Sequence, residues 1–208
     1  MAIEYKNLEN KNITQQQAQY LDYYTKNFID QNTGFVKKIE VMENRQLTSI
    51  SYYLDSGENE NDIVQLYTDQ VKDDVITIVR QTIQNNNIEL RKQYNDKNLT
   101  FITHILYDNY NNIICRQNYN LITNQPIPET TLKYYYDYSD YTEEWGYREI
   151  FDSHYNSDGS LNILIYMPTD NDQDNESYGP INFSLLQDQF SEDLSYYLTS
   201  EFMPGDIT

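Results

Sequence analysis

Residues 88–107 run Ile88-Glu89-Leu90-Arg91-Lys92-Gln93-Tyr94-Asn95-Asp96-Lys97-Asn98-Leu99-Thr100-Phe101-Ile102-Thr103-His104-Ile105-Leu106-Tyr107. Ile88, Leu90 and Tyr94 at alternate positions on one side, and on the other a run rich in Ile, Thr, Tyr and Phe, the residues that fit a pleated and half-buried surface, flank a polar tetrad. Asn and Asp tolerate the left-handed backbone of a tight hairpin loop. The segment therefore reads as strands Ile88–Tyr94 and Leu99–Tyr107, and so short a connection permits only antiparallel pairing.

The same grammar extends both ways along the chain. Downstream, Ile113–Leu121, Thr131–Tyr138, Tyr147–Tyr155 and Leu161–Met167 read as strands, with turn chemistry at Asp108-Asn109-Tyr110-Asn111-Asn112 and Asn156-Ser157-Asp158-Gly159. Pro126 and Pro128 interrupt this meander once. Upstream, Val75–Ile83 continues it, and Phe35–Met42 pairs with Leu47–Leu54 around Glu43-Asn44-Arg45-Gln46. Three hairpins share an Asn entering the turn and a Leu opening the return strand, a likeness that hairpin chemistry explains without an internal repeat.

Three stretches carry helical spacing. Tyr20, Leu21, Tyr24 and Phe28 predict a helix over Thr14–Asp30, with Thr14 and Gln17 as a capping box and Gly34 as its stop. Ile63, Leu66, Tyr67 and Val71 predict a short helix after Asp62. Leu186, Phe190, Leu194, Tyr197 and Leu198 predict a third over Ser184–Ser200, capped by Ser184 and Gln187. The expected fold class is α+β: a large, mostly antiparallel sheet of successive hairpins with an N-terminal and a C-terminal helix packed on it. A single domain over residues 1–208 is the expectation, and a subdivision near 125–130 the alternative.

Composition agrees with a folded, sheet-rich chain. Ile, Leu, Val and Phe make up 24% of the 208 residues, above the roughly 20% below which highly charged chains fail to bury a core. Ala, the best helix former, occurs twice, against 22 Tyr and 21 Ile. The opening Met1-Ala2-Ile3-Glu4-Tyr5-Lys6 has charges where a signal peptide is apolar, and no run approaches the roughly 18 apolar residues that span a bilayer. With the lone Cys115 read as a small buried hydrophobe on a strand, the expected location is cytoplasmic.

Charge is distributed unevenly. The chain carries 14 Lys and Arg against 33 Asp and Glu, a net charge of -19. Residues 134–208 hold 16 of those acids against Arg148 alone, a net of -15. Such a field disfavours direct contact with nucleic acid or anionic membrane and attracts basic proteins. Within the same third, residues 134–147 gather seven aromatics and four acids. Tyr and Trp offer large, stiff contact area, and carboxylates select a basic partner and speed encounter. The expected partner-binding residues are Tyr136, Asp137, Tyr138, Asp140, Tyr141, Glu143, Glu144 and Trp145, joined by Asp170, Asp172, Asp174 and Glu176.

The chemistry available elsewhere is sparse. Oxygen ligands alternate along 170–176 as in calcium loops, but the EF-hand pattern needs Gly sixth and Glu twelfth, where Asn175 and Ile181 stand. Asp152 and His154 share a strand face, which supplies two ligands and no more. With two His, one Cys, no phosphate-binding Gly loop and no nucleophile elbow, no catalytic residue, metal or cofactor is implied. The expected function is that of a non-enzymatic acidic protein which neutralises a basic, nucleic-acid-binding partner, as an inhibitor or immunity protein does. A calcium- or carbohydrate-binding module is the first alternative, and a hydrolase using paired carboxylates the second.

Overall fold

The computed structural model describes residues 1–83, 86–142, 146–166, 179–180, 182–190 and 193–203. Its strands are β1 (Ala2–Lys6), β2 (Asn12–Ile13), β3 (Tyr23–Ile29), β4 (Val36–Glu43), β5 (Gln46–Tyr53), β6 (Asp74–Ile83), β7 (Asn86–Asn95), β8 (Asn98–Tyr107), β9 (Ile113–Asn118), β10 (Leu132–Thr142), β11 (Gly146–Tyr155), β12 (Leu161–Tyr166) and β13 (Gly179–Pro180). Its α-helices are α1 (Gln15–Ala18), α2 (Glu60–Thr68) and α3 (Phe183–Gln189). Hydrogen-bonded neighbours follow one order, β13-β12-β11-β10-β9-β8-β7-β6-β5-β4-β3-β1-β2. Among the described residues no helix is long and apolar enough to cross a membrane.

The large sheet is there, but the two terminal helices are not. The capping box at Thr14 and Gln17 forms as read, yet the helix it opens lasts four residues and Tyr23–Ile29 is strand β3. Tyr24 and Phe28 lie four apart, a spacing that puts two side chains on one face of a helix and equally on one face of a strand. The Tyr-Tyr-Thr run and pairing with β1 and β4 decide for the strand. At the other end, α3 stops at Phe190, whose backbone is extended (φ -115°, ψ 136°). Asn182, not Ser184, is the N-cap, accepting from the Ser184 N–H at 2.9 Å. A 3-10 turn, Ser195–Leu198, follows within the described residues. Leu186, Leu194 and Tyr197 all reach the core, along a broken path rather than one helical stripe.

The chain forms two compact units, residues 1–81 with 89–102, and residues 82–88 with 103–208. In the first, β4 and β5 meet in a two-residue turn whose Asn44 and Arg45 both have positive φ (48° and 65°), the geometry of a type I′ hairpin. The turn of residues 88–107 repeats it at Asp96 and Lys97 (46° and 67°). The helix read after Asp62 is present as α2, and it makes β5 and β6 a parallel pair, Ser49–Tyr53 against Asp74–Ile78. Val64 on α2 packs with Val75 and Tyr94, while Ala18, Tyr24 and Met42 form a separate cluster. Glu89, 6% exposed, accepts from Arg80 Nε (3.0 Å) and Arg91 Nη2 (2.6 Å). Burial would raise its carboxyl, but the two arginines outweigh burial and hold it below the usual range.

The second unit is organised by one cross-strand row. Register places Leu106, Cys115, Lys133, Ser153 and Leu164 side by side on β8, β9, β10, β11 and β12. All five are at most 1% exposed. Cys115 is the buried small residue the sequence led us to expect, its thiol pushed up to about 11 chiefly by burial. Lys133 is the anomaly, a lysine at 0% exposure in an apolar row. Its Nζ donates to the carbonyls of Tyr196 (2.5 Å) and Thr199 (2.7 Å) and sits 3.4 Å from the Tyr196 ring centroid. Gln117 Nε2 reaches the Ser200 carbonyl at 2.9 Å and the Tyr155 hydroxyl the Tyr197 carbonyl at 3.1 Å. The segment from 193 to 203 is thereby strapped over this face by side chains of β9, β10 and β11. Gly159, at φ +83°, holds a left-handed backbone that side-chain-bearing residues rarely adopt, and its carbonyl accepts from the Ser200 N–H of the strap at 2.9 Å.

Burial lowers the Lys133 amine to about 7. A neutral amine still has two N–H groups, enough for both carbonyls. Lys133→Met would orphan both acceptors, and we expect a loss of about 3 kcal/mol, measured by urea unfolding. Between pH 7 and about 9.5 the unfolded chain holds the Lys133 proton and the folded chain has released it, so this group makes stability rise with pH. That rise should be missing from the Lys133→Met profile.

Candidate functional site

Side chains alternate across β10 and β11, so the residues flanking the buried row face the other way. Leu132 pairs with His154, Tyr134 with Asp152 and Tyr136 with Glu149. Between the last two pairs β11 carries one extra residue, Ile150, a bulge that returns Glu149 to the face of Asp152 and His154. Beyond Asp137–Arg148 the register jumps to Tyr141–Tyr147, leaving Tyr138, Ser139 and Asp140 as extra residues on β10. That irregularity thrusts tyrosines outward at one end of the strand pair.

Four rings meet there. Tyr147 lies 4.9 Å from Tyr110, 5.4 Å from Tyr138 and 5.1 Å from Tyr141, centroid to centroid, and Tyr110 is 5.2 Å from Tyr138. These are the tilted and edge-on contacts that aromatic quadrupoles favour. The cluster is nevertheless open to solvent, with Tyr110 60%, Tyr138 41% and Tyr141 59% exposed. Asp108 anchors it, accepting from the backbone N–H groups of Tyr110 and Asn112 (both 2.8 Å) and from the Tyr138 hydroxyl at 2.7 Å. Burial, with Asp108 holding its proton, pushes the Tyr138 phenol far above the ordinary tyrosine range.

Along the same face lies a row of carboxylates and histidine. Burial, with Asp152 adding a second negative charge, lifts the Glu149 carboxyl to about 7. Asp152 is raised too, by burial against the pull of His154. His154 Nε2 stands 3.3 Å from Asp152 Oδ1, an ion-pair distance whose angles make no hydrogen bond. Glu149 Oε1, Asp152 Oδ1 and His154 Nε2 are shielded from solvent without a hydrogen-bond partner. Groups this poorly satisfied cost stability, and they concentrate where a surface serves binding or chemistry. Among the described residues no three His, Cys, Asp or Glu side chains are placed to hold a metal ion.

Of the residues singled out from sequence, Tyr138 and Tyr141 belong to the exposed cluster. Tyr136 is half-buried, its hydroxyl donating to the Ile113 carbonyl at 3.0 Å. Asp137 is engaged inside the chain, accepting from the Ser139 N–H (2.9 Å) and hydroxyl (2.6 Å), with Arg148 Nη2 at 3.9 Å. The Asp140 backbone lies in β10. The Asp140 side chain, and Glu143, Glu144, Trp145, Asp170, Asp172, Asp174 and Glu176 altogether, lie outside the described residues. Asp158 does not join Asp152 and His154; its carboxylate accepts from Ser160 at 2.9 and 2.6 Å. Tyr110, Tyr147, Asp108 and Glu149 are the residues that sequence reasoning missed. An Asp opening an Asn-rich turn signals its capping role, but nothing local marks the bulge that turns Glu149.

Comparison of the chain with protein families, with curated proteins and with solved structures finds no match. The arrangement therefore stands on its own chemistry: a tyrosine surface drawn mostly from the acidic third of the chain, continued by Glu149, whose carboxyl is lifted to about 7, and by Asp152, which is also raised.

For Glu149 the folded carboxyl binds its proton up to about pH 7, while the unfolded one releases it near its ordinary value of 4.5. Stability from this group therefore falls as pH rises from about 4.5 to about 7. Glu149→Gln should match the parent at pH 5 and exceed it at pH 8 by roughly 1 kcal/mol, read from urea unfolding.

Proposed function

We propose that this chain is a non-enzymatic binding protein that neutralises a basic protein partner, in the manner of an inhibitor or immunity protein. The observation that carries the reading is the solvent-open cluster of Tyr110, Tyr138 and Tyr141 around the half-buried Tyr147, three of whose four rings come from the third of the chain that bears a net charge of -15. Large aromatic side chains at the centre of a contact supply most of its energy, and a surrounding field of one sign supplies speed and selectivity. Asp108 and Asp137 already accept internal hydrogen bonds, so attraction near the cluster is a property of the summed field rather than of those two carboxylates as free hooks. A partner whose Lys and Arg track nucleic-acid phosphates would present the complementary surface, and docking here would block that track.

A second reading, a hydrolase using paired carboxylates, draws on Glu149 and Asp152: one acid protonated near neutrality beside another is the arrangement general acid and base catalysis uses. It requires turnover with a pH limb near 7 that disappears in Glu149→Gln.

The binding reading is tested by affinity capture from lysate of the source organism at low salt and at about 0.5 M salt, where exposed charges are screened. We expect a stoichiometric basic protein that is lost at high salt and lost to a Tyr138→Ala, Tyr141→Ala double variant. Capture that is unchanged by salt and by the variant overturns the reading.

A further inference from the structure

We propose that the platform of Tyr110, Tyr138, Tyr141 and Tyr147 seats an arginine side chain of an extended basic segment, so that the partner's docking element is rich in arginine rather than merely basic. The inference rests on the binding reading above and names the group that the surface recognises.

The chain shows how it matches cations to rings. Lys37 sits 4.7 Å from the Tyr52 ring, Lys38 4.0 Å from Phe28 and Arg80 3.8 Å from Tyr53. The lysines on these rings have been taken out of water: the side chains of Lys37 and Lys38 are 11% and 16% exposed. The cation that rests on a ring while keeping 44% of its side chain in solvent is Arg80. The physical reason is hydration. An ammonium is compact and strongly hydrated, and it gives up little water to an exposed ring, whereas a planar guanidinium is weakly hydrated and lies flat on an aromatic face.

The platform is an exposed setting of the second kind. Its rings touch one another at about 5 Å, which leaves no cage between them for a spherical cation and offers instead outward faces on which a flat group can lie. Among the described residues no cation of the chain itself occupies these four rings. The chain's net charge of -19, with the Asp108 carboxylate 2.7 Å from the Tyr138 hydroxyl, favours a cationic occupant over a neutral one. Asp108 accepts a hydrogen bond from the Tyr138 hydroxyl at 2.7 Å, which makes the ring more electron-rich and strengthens its hold on a cation.

The test uses the full chain and three labelled synthetic peptides, alternating glycine with arginine, lysine or citrulline, titrated by fluorescence anisotropy. Citrulline keeps the planar shape of arginine without its charge. We expect the arginine peptide to bind about fivefold more tightly than the lysine peptide, and the citrulline peptide at least about tenfold more weakly than arginine. Tyr141→Leu and Tyr110→Leu, both at exposed positions, should erase the preference for arginine over lysine while leaving salt-dependent binding of both. Thermal unfolding of each variant checks that the fold is kept. Equal binding of arginine and lysine peptides, equal binding of citrulline, displacement by a neutral oligosaccharide, or no binding at all overturns the inference. Should lysate capture still yield a salt-sensitive basic protein while peptide preference is absent, the binding reading stands and the arginine assignment falls. Should capture fail while the arginine peptide binds as expected, the platform is retained and the inhibitor reading falls.

Discussion

A lysine cannot sit in the middle of an apolar cross-strand row unless something meets its N–H groups, and in the second unit that something is the chain's own later segment. Lys133 is flanked by Cys115 and Ser153 in register, and the carbonyls of Tyr196 and Thr199 come to its Nζ. The dependence is mutual. Those carbonyls belong to a segment with little regular structure, which needs donors from outside itself if its backbone is to be buried. Lys133, Gln117 and Tyr155 provide them, and the apolar side chains of Leu194 and Tyr197 then close over Ile150, Phe151 and Leu164. The core of this unit is thus shut by polar contacts as much as by apolar ones.

Once one face of β10 and β11 is committed to that core, alternation leaves the other face to Tyr134, Tyr136, Tyr138, Tyr147, Glu149, Asp152 and His154. The contrast with the first unit defines what is unusual here. There, the buried Glu89 is met by two arginines and held ionised, and Glu60 is met by Lys92 at 2.6 Å and by Thr77. Both are settled structural ions. On the β10–β11 face the carboxylates are raised instead, without such partners, and the chain tolerates the cost. The tyrosine cluster stands at the end of the same face, so the residues least explained by stability and those most exposed to a visitor are contiguous.

How much of this the sequence disclosed depended on the range of each signal. Hairpin turns are short-range features, and the Asn44-Arg45 and Asp96-Lys97 loops follow from local chemistry, as does the cap at Thr14. Helix length is not local in the same way. Tyr24 and Phe28, or Leu186, Phe190 and Leu194, satisfy a helical period, but a four-residue spacing also satisfies a strand or a broken path, and pairing partners decide. The density of aromatics in residues 134–147 made it legible that Tyr138 and Tyr141 would meet other rings. Tyr110 was not legible, since it reaches the cluster from a turn between other strands, and the internal bonds of Asp137 to Ser139 are invisible in composition.

The sequence by itself determined a sheet-rich chain, its hairpin turns, the helix α2 and the gathering of negative charge in its last third, because propensity, turn chemistry and net charge are properties of residues and near neighbours. Only the tertiary structure decided that Lys133 is buried, that β5 and β6 run parallel, that the terminal helices end early and give way to strand β3 and to the strap of residues 193–203, and which tyrosines face solvent. Each of those depends on register, on a bulge, or on a hydrogen-bond partner as distant as residue 196 is from residue 133. Contacts of that span carry no mark in local sequence, since a side chain's surroundings are fixed only when the strands that supply them have paired.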